Sequence, residues 1–493
     1  MTLKDRLKRE GKGFLDAVRR SNEPIYLVLL SLYVLIYIII KVWWNPGIEA
    51  KIAYIRIGIE SIVMWGSALY LLFVIADWKK LWRKTLWLIV IGAALLAATG
   101  FFSRVMTTNS YGVVFDLFFC LMACGKDYKK ILRCILYVVV AMLIIAGIGV
   151  PVGYTWDVMK PDNISPGHSL GINYPNTWGY IAFLALMLIW YLRLRNKPIL
   201  TFICFWATMA FMYFYISCRT IAVLTAVFPV AATVVDALER HADRKRERYI
   251  SASPDGAPIM RETRVGIFGW IVVAIPFIAF AFMLFVSMQY KWVHKYLYPT
   301  FLYTFAMRFV QGGLYFKTYG LPIFGNPYHS NVHTYVNVNG SFEKVGILDS
   351  SFAAYIIMRG LFWMAYTLAW LSFAIWKALK KRDYAIPFLC GIILVFAMME
   401  RPGLDMWYNF ILLYPLAKVA CKPGTEPEPA EAAEAAKTAE AIEAVGAVEA
   451  VETKEAAPTA EVTETDEAVE IAEAAETVET AEVAETAEAG TEE

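Results

Sequence analysis

Long apolar runs recur along the chain between residues 25 and 420, broken by short polar segments that carry most of the charge. A helix needs about 20 apolar residues to cross a bilayer, so this pattern predicts an all-α polytopic membrane protein. Twelve crossings are expected, over residues 25–42, 55–76, 85–102, 109–124, 131–152, 176–192, 199–216, 220–237, 265–288, 351–376, 384–399 and 405–420. The run 109–124 is short and holds Asp116, a carboxylate that is either functional or paired with a neighbouring helix. The run from Ile199 to Leu238 is long enough for two crossings, and it places Arg219, in YISCRTIAVLTAVF, at the turn between them. That arginine either snorkels to the headgroups or binds a ligand.

Composition agrees with the pattern: 58% of residues are hydrophobic, 15% are aromatic, and the mean hydropathy is +0.49. A soluble globule of 493 residues does not have these values. Lys and Arg alternate from side to side, which fixes an expected orientation because basic residues accumulate in short cytoplasmic loops. Residues 1–24, DWKKLWRK, GKDYKKILR, RLRNK, ERHADRKRERY with RETR, KALKKR, Lys418 and Lys422 together hold 31 Lys and Arg. Both termini are then cytoplasmic, and removing the fourth span would break the alternation. A basic stretch precedes the first span and no small-residue cleavage site follows it, so a retained anchor in the plasma membrane is expected. Of the seven cysteines only Cys218 approaches the outer face, and no disulfide framework is implied.

From residue 423 to 493 the chain changes to Ala, Glu, Thr and Val, with 22 acidic residues and two lysines. Dense like charge and few large apolar groups predict a disordered cytoplasmic tail, open to a partner such as a chain-length regulator. It would repel nucleic acid.

The outer side collects the candidate chemistry. His168, His294, His329 and His333 fall there, as do Arg104, Arg219, Arg308, Glu400 and Arg401. A large loop, residues 289–350, joins the ninth and tenth spans and is too aromatic to be a disordered connector. Its first part has apolar residues at helical spacing around Arg308. This predicts a helix at the membrane surface, with an ordinary aromatic belt as the alternative. Its second part mixes turn residues with short alternating runs, as a small irregular or β-containing cap would.

Taken in order, HSLGINYPNTWGY, SCRT, Arg308 with YGLPIFGN, GILDSSF leading into a span with RG, and MMERPGLDMWYNF resemble the outer-face motifs of bacterial O-antigen and capsular polysaccharide polymerases and the related O-antigen ligases. The resemblance covers most of residues 165–415. The ligases carry a His near the end of the large loop where this chain reads LDSS. The resemblance implies undecaprenyl-pyrophosphate-linked oligosaccharides as donor and acceptor, with one glycan transferred onto the sugar end of the other. Pyrophosphate leaves with growing negative charge, and an arginine fork binds phosphate oxygens bidentately while staying protonated. Arg219, Arg308, Arg401, Glu400, His168 and Asn176 are the expected substrate-binding residues. Asp349 is the expected base by motif position and His333 by chemistry.

No cofactor is implied. No metal is expected either, since the outer side has no Asp-X-Asp and no histidine set at metal-ligand spacing. A ligase would use the same donor chemistry, and a lipid-linked glycan flippase also fits twelve spans. The tail is expected to be dispensable for chemistry. Truncation after Lys422 should leave in vitro polymer formation intact, and loss of polymer at normal protein levels would refute this.

Overall fold

The computed structural model describes residues 22–74, 116–157, 167–251, 265–297, 303–325, 334–337, 342–345 and 350–419. Seven described helices are long and apolar enough to cross a membrane, and the protein is multi-pass. The helices are α1 (Asn22–Ile39), α2 (Pro46–Val74), α3 (Tyr128–Val152), α4 (Pro175–Ile189), α5 (Pro198–Phe211), α6 (Arg219–Ser251), α7 (Ile267–Met288), α8 (Tyr290–Tyr296), α9 (Tyr303–Tyr319), α10 (Ser351–Arg359), α11 (Leu361–Lys380) and α12 (Ala385–Met399). A further short helix covers residues 116–122. The expected span 85–102 and the tail from residue 423 lie outside the described residues.

Local sequence explains where these helices begin and end. The Asp127 carboxylate accepts the Lys129 N–H at 2.8 Å and caps α3, whose other end stops at Gly153 in a left-handed conformation. Prolines open α4 and α5, where the missing N–H costs nothing. π-helical turns, Trp190–Leu194 and Met212–Ile216, end α4 and α5. The α4 segment lies at the centre, with 78% of its apolar window buried, while α2 is peripheral at 11%. Around α4 the rings of Trp190, Phe205, Phe228 and Phe388 interlock at 4.4–5.4 Å.

One end of the bundle is basic. There residues 125–128 pair with 416–418, Gly125 N–H donating to Leu416 and Lys418 N–H to Lys126 at 2.7 Å. Arg195 is clamped among Asp236, Glu239 and Asp383, and the Tyr191 hydroxyl donates to Asp383 at 2.6 Å. Burial pushes the Asp383 carboxyl above the ordinary carboxylate range, with Arg195 and Tyr191 opposing it. The opposite end is built from 39–46, 153–157, 167–175, 217–219 and 400–405.

The structure departs from the expected spans at two places. The run 351–376 is broken into α10 and α11 at Gly360, which has φ 90° and ψ 165°. Beyond α12 the run 405–420 is no transmembrane helix. After a 3₁₀ turn, Arg401–Leu404, the chain returns toward the basic end through turns and a second 3₁₀ segment, Phe410–Leu413. Hydropathy predicted burial here, which is correct, but the shell is protein and not lipid. Irregular backbone at this depth requires such a shell, and residues 402–415 are almost wholly buried. Within the large loop, α9 packs on α7, α10 and α12. Farther on, β1 (Thr334–Asn337) and β2 (Phe342–Val345) form an antiparallel hairpin with Thr334 opposite Val345, the second of the two forms expected of this part.

Gly360 offers a direct test of the break. Its backbone lies in a region essentially reserved for glycine, and an added Cβ would strike the Ile323 carbonyl and the Gly325 nitrogen. Gly360→Ala should destabilise the protein by at least about 1–3 kcal/mol, read as a lowered Tm in detergent. An unchanged Tm would mean the two helices do not meet in this way.

Candidate functional site

At the end opposite the basic one, a cavity of about 490 Å³ lies between α1, α2, α10 and the turn after α12. Its apolar wall includes Ile36, Ile40, Ile57, Met64 and Met358, and its polar groups include Arg56, Glu60, Arg359, Arg401 and Asp405. Positions one turn apart on α2 place Arg56 against Glu60 at 3.2 Å. Arg359, at the last turn of α10, meets Asp405 at 3.3 Å and Asp116 at 3.7 Å. Its guanidinium also lies 4.0 Å over the Tyr355 ring. Asp116 in turn accepts from the Tyr33 hydroxyl at 2.6 Å and from the Met406 N–H at 3.3 Å, and the Tyr355 hydroxyl donates to Asp405 at 3.0 Å. Asp116 is therefore paired with neighbouring elements, one of the two alternatives its sequence left open.

Arg401 is the cation of this cavity without a carboxylate partner among the described residues; its guanidinium lies 3.5 Å from the Met358 sulfur. Lys41 lies nearby. Burial lowers its pKa first and repulsion from Arg401 second, with Asp405 pulling the other way. Arg401 and Lys41 repel one another, and an anion beside them would relieve this.

The predicted residues fall into three groups. Arg308 is drawn inward from α9, its Nε donating to the Met399 carbonyl at 3.1 Å and its fork 3.9 Å from Glu400. Glu400 and Arg401 are held by their backbone, since both carbonyls accept from the Ser351 hydroxyl, at 2.5 and 2.7 Å. Arg219 is exposed at the first residue of α6, with no ion pair among the described residues. The turn before it is set by Ser217 at φ 61°. Gly167 packs directly on the Ile216 carbonyl, and the His168 ring stacks on Tyr215 at 4.4 Å. HSLG and SCRT, about 50 residues apart, thus form one surface. Asn176 is half-buried in the first turn of α4. Asp349 and His333 lie outside the described residues.

Several groups were not predicted as site residues. Asp157 accepts from the His168 ring at 2.5 Å and from two backbone N–H groups. Arg359 and Asp405 were visible only as letters of the RG and GLDMW motifs, and Lys41 as the end of a span. Nothing in spacing alone signals these pairings, because their partners are far apart in sequence. Among the described residues no group of three or more His, Cys, Asp or Glu is arranged to hold a metal ion. Comparison with protein-family models, with characterised proteins and with solved structures gave no match.

The buried pairing of Arg359 has a measurable weight. Arg359→Gln strands Asp116 and Asp405 in a poorly hydrated interior and should cost about 3–5 kcal/mol of stability. Adding Asp116→Asn and Asp405→Asn should restore most of it, because neutral partners no longer require the cation. Thermal unfolding of the purified variants reads this, and an equally unstable triple variant would refute the pairing.

Proposed function

We propose that the protein is a polysaccharide polymerase. It joins undecaprenyl-pyrophosphate-linked oligosaccharide units at the outer face of the plasma membrane by metal-independent glycosyl transfer. The observation that carries this reading is the gathering of Arg401, Arg359 and Arg56 around one cavity with apolar walls, at the end away from the basic loops. The positive-inside bias makes that end external. A lipid-linked pyrophosphate is an anion on a hydrocarbon tail, so it needs cations beside an apolar wall. Arg219 adds an exposed fork at the start of a long helix, where free backbone N–H groups also favour phosphate. In the transition state the sugar carbon gains oxocarbenium character while negative charge grows on the departing pyrophosphate. Fixed guanidinium groups stabilise that charge more than they stabilise the ground state. A ligase differs only in its acceptor and would use the same donor site.

A second reading, transport of the lipid-linked glycan, is favoured by one observation. Arg359, Asp116 and Asp405 form a buried ion network beside an irregular chain segment enclosed in the helical body, as ion-coupled carriers have.

Purified protein supplied with lipid-linked repeat units and a chelator separates these readings. The polymerase reading expects chain growth. It also expects Arg401→Lys and Arg219→Lys each to lower turnover about a hundredfold, the usual cost of losing one preorganised contact to a developing anion. Near-normal growth by both variants would overturn the arginine assignment, and dependence on added divalent metal would overturn the mechanism. In reconstituted vesicles, movement of the lipid-linked unit without chain growth would favour transport.

A further inference from the structure

Beside the cavity the same end of the bundle carries a second set of groups, which pyrophosphate binding leaves unused. Residues 41–45 are joined edge to edge with 153–156 and with 171–173. Trp43 N–H donates to Gly171 at 2.9 Å, Trp156 N–H to Trp43 at 3.0 Å and Asn173 N–H to Lys41 at 2.7 Å. At the rim of this layer Asp157 closes the chain onto residues 168–170. One carboxylate oxygen accepts the N–H of Ser169 at 2.7 Å and of Leu170 at 2.9 Å, and the other lies 2.5 Å from Nδ1 of His168. Burial raises the pKa of Asp157, but the bonds from His168, Leu170 and Ser169 outweigh this and hold it below the ordinary range. The group is therefore a carboxylate at neutral pH.

That carboxylate fixes the histidine tautomer. With Nδ1–H donated to Asp157, the lone pair belongs to Nε2, for which no partner is found among the described residues. Stacking on Tyr215, with 14° between the planes, fixes the ring as well. The pair is only partly covered, with side chains 24% and 19% exposed. Trp156, the residue before Asp157, and Tyr154, two positions earlier, are about half exposed. A sugar ring has flat C–H faces that rest on such rings, with its hydroxyls left free at the edge.

We propose that the Asp157–His168 pair is the general base of an acceptor-sugar subsite, with Trp156 and Tyr154 as the platform that positions the sugar. This inference rests on the polymerase reading above. The acceptor hydroxyl oxygen forms a bond to the donor anomeric carbon. The bond from that carbon to the pyrophosphate oxygen breaks, and its electron pair leaves on undecaprenyl pyrophosphate. The hydroxyl proton passes to Nε2 of His168, and the imidazolium, held by Asp157, returns it to water. A turn closure alone would not need the ring, because Asp157 already accepts two backbone N–H groups there.

The test uses the full-length protein in detergent with a synthetic undecaprenyl-pyrophosphate repeat unit. Donor binding is read as a donor-dependent rise in Tm, and joining is read as single-turnover product. His168→Asn places an amide N–H where Nδ1–H stood, so the bond to Asp157 survives while the base is lost. His168→Asn and His168→Ala should both slow joining by about 10²–10⁴-fold, with the donor-dependent shift unchanged. Added imidazole should recover part of the joining by His168→Gly, which keeps the proposal testable if other variants are less stable. Normal joining by His168→Asn beside an inactive His168→Ala would assign the ring to loop closure and overturn the base, as would failure of imidazole to rescue a folded, donor-binding His168→Gly. Wild-type protein that binds the donor without joining units would overturn the polymerase reading and this inference with it.

Discussion

A chain segment that leaves helical structure inside a membrane protein has to find a partner for each N–H and C=O it exposes, because lipid offers none. Residues 400–419 are such a segment, and the helices of the bundle surround it with donors and acceptors. Ser351 donates to the carbonyls of Glu400 and Arg401, Tyr355 to Leu404, Tyr128 to Phe410, Trp370 to Leu412, and Lys377 to Pro415 and Ala417. Tyr180 and Phe396 close on its rings Trp407 and Tyr408, with ring contacts of 4.5–6.2 Å. Helices α3, α4, α10, α11 and α12 are thereby tied to one strip of irregular chain.

The candidate chemistry depends on that strip. Asp405 and Arg401 reach the cavity because the chain turns after α12 and does not continue as a helix. The same turn brings Met406 N–H to Asp116 and Asp405 to Arg359, so the ion network and the irregular backbone support each other. Gly360 belongs to this arrangement from the other side. By breaking a long apolar run into α10 and α11, it leaves Arg359 at a helix end against two carboxylates, where an unbroken helix would carry it past them.

Charge is handled differently at the two ends. At the basic end Arg195 is surrounded by three carboxylates and is largely covered, which suits a clamp between helix ends. At the cavity end Arg401 and Lys41 are close enough for like-charge repulsion to be felt, and Arg219 stands exposed. Neither Arg401 nor Arg219 makes an ion pair among the described residues, in contrast to Arg195.

The sequence by itself determined the membrane class, the alternation of basic loops and the positions of most helices between residues 22 and 399. These are local properties, since hydropathy over about 20 residues reports burial and prolines and glycines mark helix ends. It also singled out Arg308, Glu400, Arg401, His168 and Arg219, because charged or titratable groups next to apolar runs stand out. Tertiary structure alone decided which of these meet. Hydropathy cannot tell a helix in lipid from an irregular strand enclosed by helices, so 405–420 read as a span. Nor can it pair Asp157 with His168, or Asp116 with Arg359 some 240 residues away. Those contacts follow from how the helices pack, and packing depends on the shapes of side chains distant in sequence, which no short window of residues contains.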